Sequence, residues 1–263
     1  MNPIIRWAGS KRAVLHHLRE YWPATATRYV EPFAGSACLF FDLLPTQALL
    51  GDLNTELIAT YRAIRRDHRL VEECLGRLPT GSQGYYRVRA QDPAILSEAE
   101  SAARFLYLNR HCFNGLYRTN KSGKFNVPYG PPKRSGALVE YRLAEAALAL
   151  RNVSLIAADF ETTLSQTEIG DFVYLDPPYA VSRRRVFAEY LPGSFAAFDL
   201  ERLSSSLALL NERGIKFLVS YADSKEARDL LRDWNPKRIW TRRNIAGFAA
   251  HRRGAYELIA SNS

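Results

Sequence analysis

The densest cluster of chemically useful groups is Asp176-Pro177-Pro178-Tyr179, which follows an apolar run that predicts a strand over Phe172–Leu175. In an open α/β sheet, ligands bind beyond the carboxyl ends of the strands. Two consecutive prolines fix the backbone and remove two N–H donors, while their carbonyls still accept hydrogen bonds. Together with the Asp176 carboxylate and the Tyr179 ring, this segment suits the exocyclic amino group of a planar base. The alternative is an ordinary loop punctuated by prolines.

Three other segments have the composition of a nucleotide-binding site. Val30–Ala37 runs from a predicted strand through small residues, which let a ligand approach the backbone closely, into a helix. Asp52 ends the next predicted strand, where an acid commonly binds ribose hydroxyls, although a helix N-cap explains it equally well. Arg6–Lys11 holds a tryptophan and a lysine around a tight turn. Each of these segments alone indicates little, because many α/β turns look similar.

Alternating strand and helix patterns predict the α/β sheet that must position these segments. The predicted strands are Thr27–Glu31, Ala48–Asp52, Val153–Ala157, Phe172–Leu175, Ile215–Ser220, Arg238–Arg242 and Ala255–Ala260. The last two should form a terminal hairpin. The predicted helices are Ala37–Leu44, Leu53–Arg66, Asp199–Arg213 and a helix that Asp223 caps and that ends near Trp234.

Residues 61–149 interrupt this alternation. The stretch 67–110 has a helical pattern, whereas 115–130 holds two short β-like runs around Asn120–Gly123, which is turn chemistry. The sequence therefore predicts a discontinuous catalytic domain over 1–60 and 150–263. Between its halves we expect an insert over 61–149 that contains a β-hairpin or structured loop.

Positive charge is concentrated in two stretches without acids. The chain has 36 Lys and Arg against 27 Asp and Glu, a net charge of +9, yet residues 101–139 carry +7 and residues 235–254 carry +6, so the remainder carries −4. The cations of the first basic island are Arg104, Arg110, Arg118, Lys121, Lys124, Lys133 and Arg134, and those of the second are Lys237, Arg238, Arg242, Arg243, Arg252 and Arg253. Aromatic rings interleave with the first: Tyr107, Phe113, Tyr117, Phe125 and Tyr129. Rings among cations predict a nucleic-acid surface rather than two solvated loops.

Composition argues against several other classes of protein. The 263 residues, 47% of them hydrophobic, suffice for one substantial core. No apolar run approaches the roughly 18 residues of a membrane-spanning helix, and the N-terminus lacks the apolar region of a signal peptide. The three cysteines form no CxxC pair and the five histidines show no metal spacing. We expect a soluble, cytoplasmic protein without a metal or a disulfide framework.

The four segments, taken in order, resemble the Dam-type (D12 class, group α) DNA N6-adenine methyltransferases. That family carries a K-W-A-G-G-K-like motif, then E-P-F-x-G-x-G, an acid–Asn pair, a target-recognition insert and D-P-P-Y. The matching residues here are Arg6–Lys11, Glu31–Ala37, Asp52–Asn54 and Asp176–Tyr179. The insert matches in Tyr107–Arg110, Asn114–Leu116, Arg118 and Gly123–Pro128. The resemblance spans nearly the whole chain, from Ile4 to about Ile259.

The resemblance implies a Rossmann-like S-adenosylmethionine-dependent methyltransferase sheet with an inserted helical-plus-β-hairpin DNA-recognition domain. It implies that the cofactor is contacted by Trp7, Lys11, Asp52 and Asp176, that its methionine part lies over Glu31, Phe33 and Gly35, and that its adenine lies at Asp159 and Phe160. The flipped target adenine would be held by Asp176, Pro177, Pro178 and Tyr179. DNA contacts are implied for Arg110, Asn114, Arg118, Asn120, Lys121, Ser122, Lys124, Asn126 and Pro128.

The implied reaction is direct methyl transfer without a metal or a covalent enzyme intermediate. The target adenine leaves the double-stranded DNA because its N6 atom is inaccessible in the stack. Asp176 and a proline carbonyl accept the two N6–H bonds, and the N6 lone pair attacks the sulfonium methyl group in line. We expect a bacterial or phage-encoded enzyme, and the sequence leaves open whether it acts as a solitary regulator or is paired with a restriction endonuclease. The alternatives are a methyltransferase acting on RNA or a protein amide, and a DNA-binding relative without catalysis.

Departures from the family pattern bear on specificity. Ser10 and Ala37 stand where the family has glycine, and both keep a small residue. Lys121-Ser122 stands where GATC-reading members carry Leu-Arg, so an arginine that could grip guanine in a bidentate manner is missing. We therefore expect a recognition sequence other than GATC.

Overall fold

A seven-stranded sheet forms the centre of the computed structural model, which describes residues 1–130, 142–179, 195–242 and 254–262. Its strands are β1 (Arg28–Glu31), β2 (Ala48–Asp52), β3 (Val153–Ala157), β4 (Asp171–Leu175), β5 (Lys216–Ala222), β6 (Lys237–Arg242) and β7 (Gly254–Ser261). All five residues of β4 are buried: Asp171 pairs with Arg28, and Phe172–Leu175 is the apolar run expected of a strand covered on both faces. The predicted α/β class and the seven predicted strands are confirmed, with ends shifted by no more than two residues.

The order of the strands creates a crevice at the carboxyl ends of β1 and β4. The order is β3-β2-β1-β4-β5-β7-β6, in which the first five strands are parallel and β7 runs antiparallel between β5 and β6. The predicted terminal hairpin is formed by β6 and β7. The chain goes from β1 to β2 on one side and returns to β4 on the other, and such a switch point is where open α/β sheets bind ligands.

Helices flank the sheet in the described ranges. They are α1 (Leu15–Arg19), α2 (Cys38–Leu43), α3 (Thr55–Gly76), α4 (Gly81–Ala90), α5 (Glu98–His111), α6 (Leu143–Ala149), α7 (Phe160–Leu164), α8 (Ala197–Glu212) and α9 (Lys225–Leu230). The predicted end of a helix at Arg66 coincides with an interruption of α3, because Asp67 leaves the helical conformation at φ −154°. Its carboxylate accepts a hydrogen bond from the Leu70 amide, which restarts the helix.

The prediction that Asp223 caps the helix after β5 is wrong. The cap of α9 is Ser224, whose hydroxyl accepts a hydrogen bond from the Ala227 amide at 3.1 Å. Asp223 lies one residue earlier and forms ion pairs with Arg228 and Arg238, both at 2.7 Å. The helix also ends earlier than predicted, at Leu230, and a short 3₁₀ turn continues to Trp234.

The predicted insert shares a core with the sheet. Helix α3 continues without a break across residue 60, and Tyr61 and Ile64 belong to the same buried cluster as Tyr29 and Leu50 of the sheet. Helix α5 packs on α3 and adds buried apolar side chains to this cluster. A separate, smaller cluster within the insert, the outer cluster, contains Tyr85, Tyr107 and Phe125. The boundaries at residues 60 and 150 stay a prediction.

Residues 115–130, the recognition segment, form a narrow loop held by isolated pairs. Cys112 bridges Tyr129 and Thr119 bridges Phe125, both antiparallel, so the segment has the path of a hairpin without an extended ladder. The Asn120 side chain accepts hydrogen bonds from the amides of Ser122 and Lys124, both at 3.0 Å. Gly123 has φ +73°, a left-handed conformation that suits the turn predicted over Asn120–Gly123.

Candidate active site

A cavity of about 1230 Å³ opens at the carboxyl ends of β1 to β4. Its wall combines the loops that follow four adjacent strands with the N-terminal turn, two residues of the recognition segment and the first turns of α8. The residues of the predicted cofactor and base sites line it together: Trp7, Lys11, Glu31, Phe33, Gly35, Asp52, Asp159, Phe160, Asp176, Pro177, Pro178 and Tyr179. Residues as far apart in sequence as Trp7 and Tyr179 therefore meet around one space.

One wall of the cavity depends on the absence of a side chain at Gly35. This residue has φ +47°, and a Cβ built on it would lie 2.6 Å from Cδ1 of Trp7. The Trp7 ring thus packs directly on the backbone of the turn after β1. Its other neighbour is Tyr117 of the recognition segment, whose ring is stacked at 5.5 Å between centroids. Ala37, the departure from the family glycine, adopts φ +48°, a left-handed conformation that glycine takes more readily.

Asp52 ends β2 at the cavity, and the N-cap of α3 is its neighbour Asn54. One Asp52 oxygen accepts a hydrogen bond from the Gly35 amide and the other accepts one from the Asn54 amide, both at 2.8 Å. The Asn54 side chain accepts the hydrogen bond from Leu57 that starts the helix. Burial raises the pKa of Asp52, and the two amide donors oppose the rise. Each carboxylate oxygen retains a second lone pair that a ligand hydroxyl can use.

An aromatic and charged patch closes the opposite end of the cavity. Phe33 and Phe160 are stacked at 5.2 Å, and the Arg202 guanidinium lies 4.7 Å from the Phe160 centroid. Arg202 also donates to Asp159 at 2.6 Å, and this ion pair ties α8 to the loop after β3. Asp159 caps α7 through the amide of Glu161. Flat rings beside a carboxylate can enclose a purine and accept a hydrogen bond from its amino group.

Lys11 is directed at Asp176. Its Nζ lies 2.5 Å from an oxygen of Asp176 and donates to the Gly9 carbonyl and the Tyr179 hydroxyl, both at 3.3 Å. The Lys11 side chain is 3% exposed. Burial disfavours its ammonium form, but the attraction of Asp176, Tyr179 and Glu257 outweighs burial and raises the Lys11 pKa. Burial raises the pKa of Asp176, and Lys11 opposes the rise.

The remaining polar groups of the Asp176–Tyr179 segment are held from beneath by β5 and β7. The Tyr221 hydroxyl donates to the Pro178 carbonyl at 3.1 Å, and the Tyr221 ring lies 5.4 Å from that of Tyr179. The Tyr179 hydroxyl donates to Glu257 at 3.4 Å. Tyr179 itself is 37% exposed, so one face of its ring can receive a ligand.

Glu31 enters the cavity wall as a deeply buried acid. It is 2% exposed and accepts a hydrogen bond from the Tyr29 hydroxyl at 2.9 Å. Burial raises its pKa well above the ordinary value, and the Tyr29 hydrogen bond opposes this only in part. A neutral carboxylic acid can donate as well as accept a hydrogen bond.

The predicted DNA contacts lie outside the cavity, mostly on the recognition segment. Side chains that are exposed belong to Arg118, Asn120, Lys121, Ser122, Lys124 and Pro128, and those that are partly buried belong to Arg110, Asn114 and Asn126. Arg118 donates to the Asn126 side chain at 2.7 Å, so these two residues hold the arms of the segment together. The tip from Asn120 to Lys124 projects into solvent.

Part of the first basic island is structural rather than exposed. Arg104 is 4% exposed and donates to the carbonyls of Val88 and Arg89, so counting it as a polyanion contact is wrong. Tyr107 and Phe125 are buried in the outer cluster and cannot stack on bases as predicted. Phe125 anchors the narrow recognition segment in this cluster, and Tyr107 of α5 forms part of the surface on which the segment packs. Five predicted cations lie outside the described residues: Lys133, Arg134, Arg243, Arg252 and Arg253.

Sequence reasoning missed several residues of the site. Tyr221, Glu257 and Arg202 contact predicted site residues but belong to no motif that was singled out. Glu257 carried a signal, since it is an acid beside the apolar run Leu258-Ile259-Ala260. The other two had none, because a tyrosine in a strand and an arginine on a helix are ordinary surface or core residues.

Two kinds of feature are not found among the described residues. None of the His, Cys, Asp and Glu side chains there form a group of three that could hold a metal ion. No helix in the same ranges is long and apolar enough to cross a membrane.

Comparisons with known proteins agree on one family. The sequence model described as D12 class N6 adenine-specific DNA methyltransferase matches residues 7–245. A Type II methyltransferase of Lactococcus lactis subsp. cremoris, M1.LlaDCHI, is 34% identical over 272 residues, which cover 100% of this chain and 95% of the relative. M.MjaIII of Methanocaldococcus jannaschii, also a Type II methyltransferase, is 31% identical, with 100% and 99% covered. The Retron Ec67 DNA adenine methylase of Escherichia coli is 33% identical, with 99% and 91% covered.

Proposed function

We infer the cofactor and the base site from the premise that this chain belongs to the D12 class of N6 adenine-specific DNA methyltransferases. The methyl donor is S-adenosylmethionine. The cavity holds this donor beside an adenine taken out of the duplex. The enzyme methylates adenine N6 in DNA. An RNA substrate and a relative without catalysis are not favoured, since several relatives are named DNA adenine methylases.

The shape of the cavity and its donor set support S-adenosylmethionine. Trp7, packed on the Gly35 backbone, forms a flat wall of the cavity with the turn after β1, and a chain lying along this wall suits the methionine part. Asp52 offers carboxylate lone pairs to ribose hydroxyls, and Phe33, Phe160 and Asp159 form a flat acceptor-bearing patch for the adenine. When bound, this cofactor supplies a methyl group on a positively charged sulfur.

Asp176 and Pro177 are proposed to hold the target amino group. Tyr221 uses one of the two lone pairs of the Pro178 carbonyl, so we assign the proline acceptor to Pro177, the neighbour of Asp176. Two acceptors on the two N6–H bonds direct the N6 lone pair away from them, and the exposed face of Tyr179 can stack on the base. The Asp176 carboxylate then takes the proton that N6 loses on methylation.

The recognition segment is proposed to read DNA. Its exposed tip is narrow enough to enter the major groove, where side chains distinguish all four base pairs. Lys121 and Lys124 lie exposed at that tip, and Lys121 can donate to guanine acceptors. The domain division at residues 60 and 150, with residues 61–149 as the target-recognition insert, belongs to this proposal.

Pairing with a restriction endonuclease is a further part of the proposal. Two of the relatives carry Type II methyltransferase names, whereas others are named DNA adenine methylases. If the pairing holds, an endonuclease encoded beside this gene will cut plasmid DNA, and prior methylation by this enzyme will protect that DNA. Cleavage of methylated and unmethylated plasmid alike contradicts the pairing.

The single observation that carries the catalytic assignment is the Asp176–Lys11 ion pair at the cavity beside the Pro177 and Pro178 backbone. We expect Asp176→Ala to abolish transfer of a tritiated methyl group to DNA and to leave DNA binding largely intact. Asp233→Ala, a change at an exposed aspartate, is the matched control and should keep full activity. Substantial turnover by Asp176→Ala would refute the assignment.

A further inference from the structure

Lys11 lies between two carboxylates, and the second one, the buried Glu257, has no role in the methyl transfer proposed so far. We propose that Glu257 is a positioning residue for methyl transfer, which acts through the Tyr179 hydroxyl and the Lys11 ammonium. This inference rests on the proposed function, because it takes Asp176 to Tyr179 as the segment that binds the target adenine.

Glu257 is buried, and each of its carboxylate oxygens faces a residue of the site. Its side chain is 4% exposed, one oxygen accepts from the Tyr179 hydroxyl at 3.4 Å, and the other lies 3.8 Å from Lys11 Nζ. Burying a carboxylate is costly unless it is paired with a cation and hydrogen-bonded. A strand whose next residues are Leu258, Ile259 and Ala260 has no structural need for an acid.

The direction of the hydrogen bonds follows from the chemistry of the donors. An ammonium group only donates, so the Tyr179 oxygen must accept from Lys11, and its own hydrogen must point to Glu257. The chain Lys11 to Tyr179 to Glu257 therefore fixes the phenol at its far end. Because a phenolic O–H prefers to lie in the plane of its ring, this hydrogen bond and the Tyr221 ring at 5.4 Å together orient the ring face that is proposed to receive the base.

The sheet topology makes this arrangement stiff. Glu257 pairs with Ala222 of β5, and the preceding residue of β5, Tyr221, donates to the Pro178 carbonyl. Tyr221 of β5 thus supports Pro178, and Glu257 of the neighbouring β7 supports Tyr179. Glu257 is paired on both sides, with Ala222 of β5 and Ile239 of β6, and Tyr221 is paired with Leu258 of β7, so these supports move little.

The alternative is that Glu257 only balances the charge of Lys11 during folding. In that case its loss lowers stability and leaves the turnover of the folded enzyme unchanged. If Glu257 positions Tyr179, its loss lowers the turnover number even when the enzyme is folded. Misplacement of a reacting group by about 1 Å can cost about 100-fold in rate.

The test compares Glu257→Ala, Glu257→Gln, Tyr179→Phe and the double variant Tyr179→Phe/Glu257→Ala. Transfer from tritiated S-adenosylmethionine to DNA is measured with each substrate varied, and the melting temperature is recorded. We expect Glu257→Ala to lower kcat by about 10- to 100-fold with the KM of the cofactor unchanged. Glu257→Gln should recover part of the rate, because its amide oxygen can still accept from Tyr179. The double variant should be no slower than the slower single variant, as for residues that act as one unit.

Two controls separate this proposal from the one it rests on. Glu212→Gln makes the same chemical change at an exposed glutamate and should behave as the unchanged enzyme. If Asp176→Ala is inactive while both Glu257 variants turn over normally, the role of Glu257 is refuted and the proposed function stands. Additive losses in the double variant also refute it. If Glu257→Ala fails to fold, the same comparison is made with Glu257→Gln and with Tyr179→Phe/Glu257→Gln.

Discussion

Replacement of Lys11 by methionine should move the acidic limb of the pH–rate profile to higher pH. Methionine keeps the length of the side chain in a site that is 3% exposed, and it removes the charge. In the enzyme as it is, burial raises the pKa of Asp176 and the Lys11 ammonium opposes this rise. Without Lys11, the Asp176 pKa rises further, and a proposed acceptor that must be ionised becomes protonated at a higher pH.

The size of the change in the Asp176 pKa follows from the distance and the burial. An opposite charge within about 4–6 Å lowers a carboxyl pKa by about 1–3 pH units, and here the separation is 2.5 Å, with the Lys11 side chain 3% and the Asp176 side chain 19% exposed. We therefore expect the upper half of that range, at about 1.4 kcal/mol for each pH unit. On the acidic side the variant should lose about a factor of ten in rate for each pH unit by which the Asp176 pKa rises.

The assay is kcat/KM for DNA at saturating cofactor across the pH range, since this ratio reports ionisations of the enzyme before DNA binds. Lys216→Met, at an exposed lysine, is the matched control and should leave the profile in place. The free energy of unfolding gives an independent check: the raised Asp176 pKa should make the variant lose stability as pH increases from the unfolded pKa through the folded one. An equal loss of rate at every pH, with the limb unmoved, would refute this reasoning and return Lys11 to a role in cofactor binding alone.

Four further outcomes are expected. Asp52→Ala should weaken S-adenosylmethionine binding in calorimetric titration, because an acceptor for the ribose is lost, and unchanged affinity would contradict its proposed role. Gly35→Ala should lower stability by about 1–2 kcal/mol in denaturant unfolding, since its φ is +47° and its Cβ would meet Trp7 at 2.6 Å; an unchanged midpoint would show that the turn relaxes. DNA affinity should fall as salt rises, with a slope set by fewer phosphate contacts than the charge of the two islands, and a flat plot would mean that they face away from DNA. Exchange of Lys121-Ser122 for Leu-Arg should change the sequence that is methylated, read by methylation-sensitive sequencing; a uniform change in rate would mean that the segment only contacts the DNA backbone.

Local sequence patterns predicted much of the fold. Strands β2 and β3 have the predicted bounds, because each is a short apolar run between turn residues: β2 is almost entirely buried, and β3, at the sheet edge, buries Val153 and Leu155 on one face. The turn at Gly123 was also predictable, since its positive φ is a property of the residue and of the Asn120 side chain three positions before it. The ends of elements were less certain. Ser224 rather than Asp223 caps α9 because two arginines, one of them from β6, engage the aspartate.

The motifs marked the candidate site, but only the tertiary structure decided which groups face one another. Lys11 and Asp176 are 165 positions apart, and their contact requires the N-terminal turn to lie against the end of β4. Glu257 reaches the same place because β7 inserts antiparallel beside β5. Arg104 shows the opposite case, since a cation in an acid-free stretch is used inside the fold to bind two carbonyls. Residue type and spacing determine what a side chain can do, whereas its partner depends on strand order and helix packing, which are set by contacts between residues far apart in the chain.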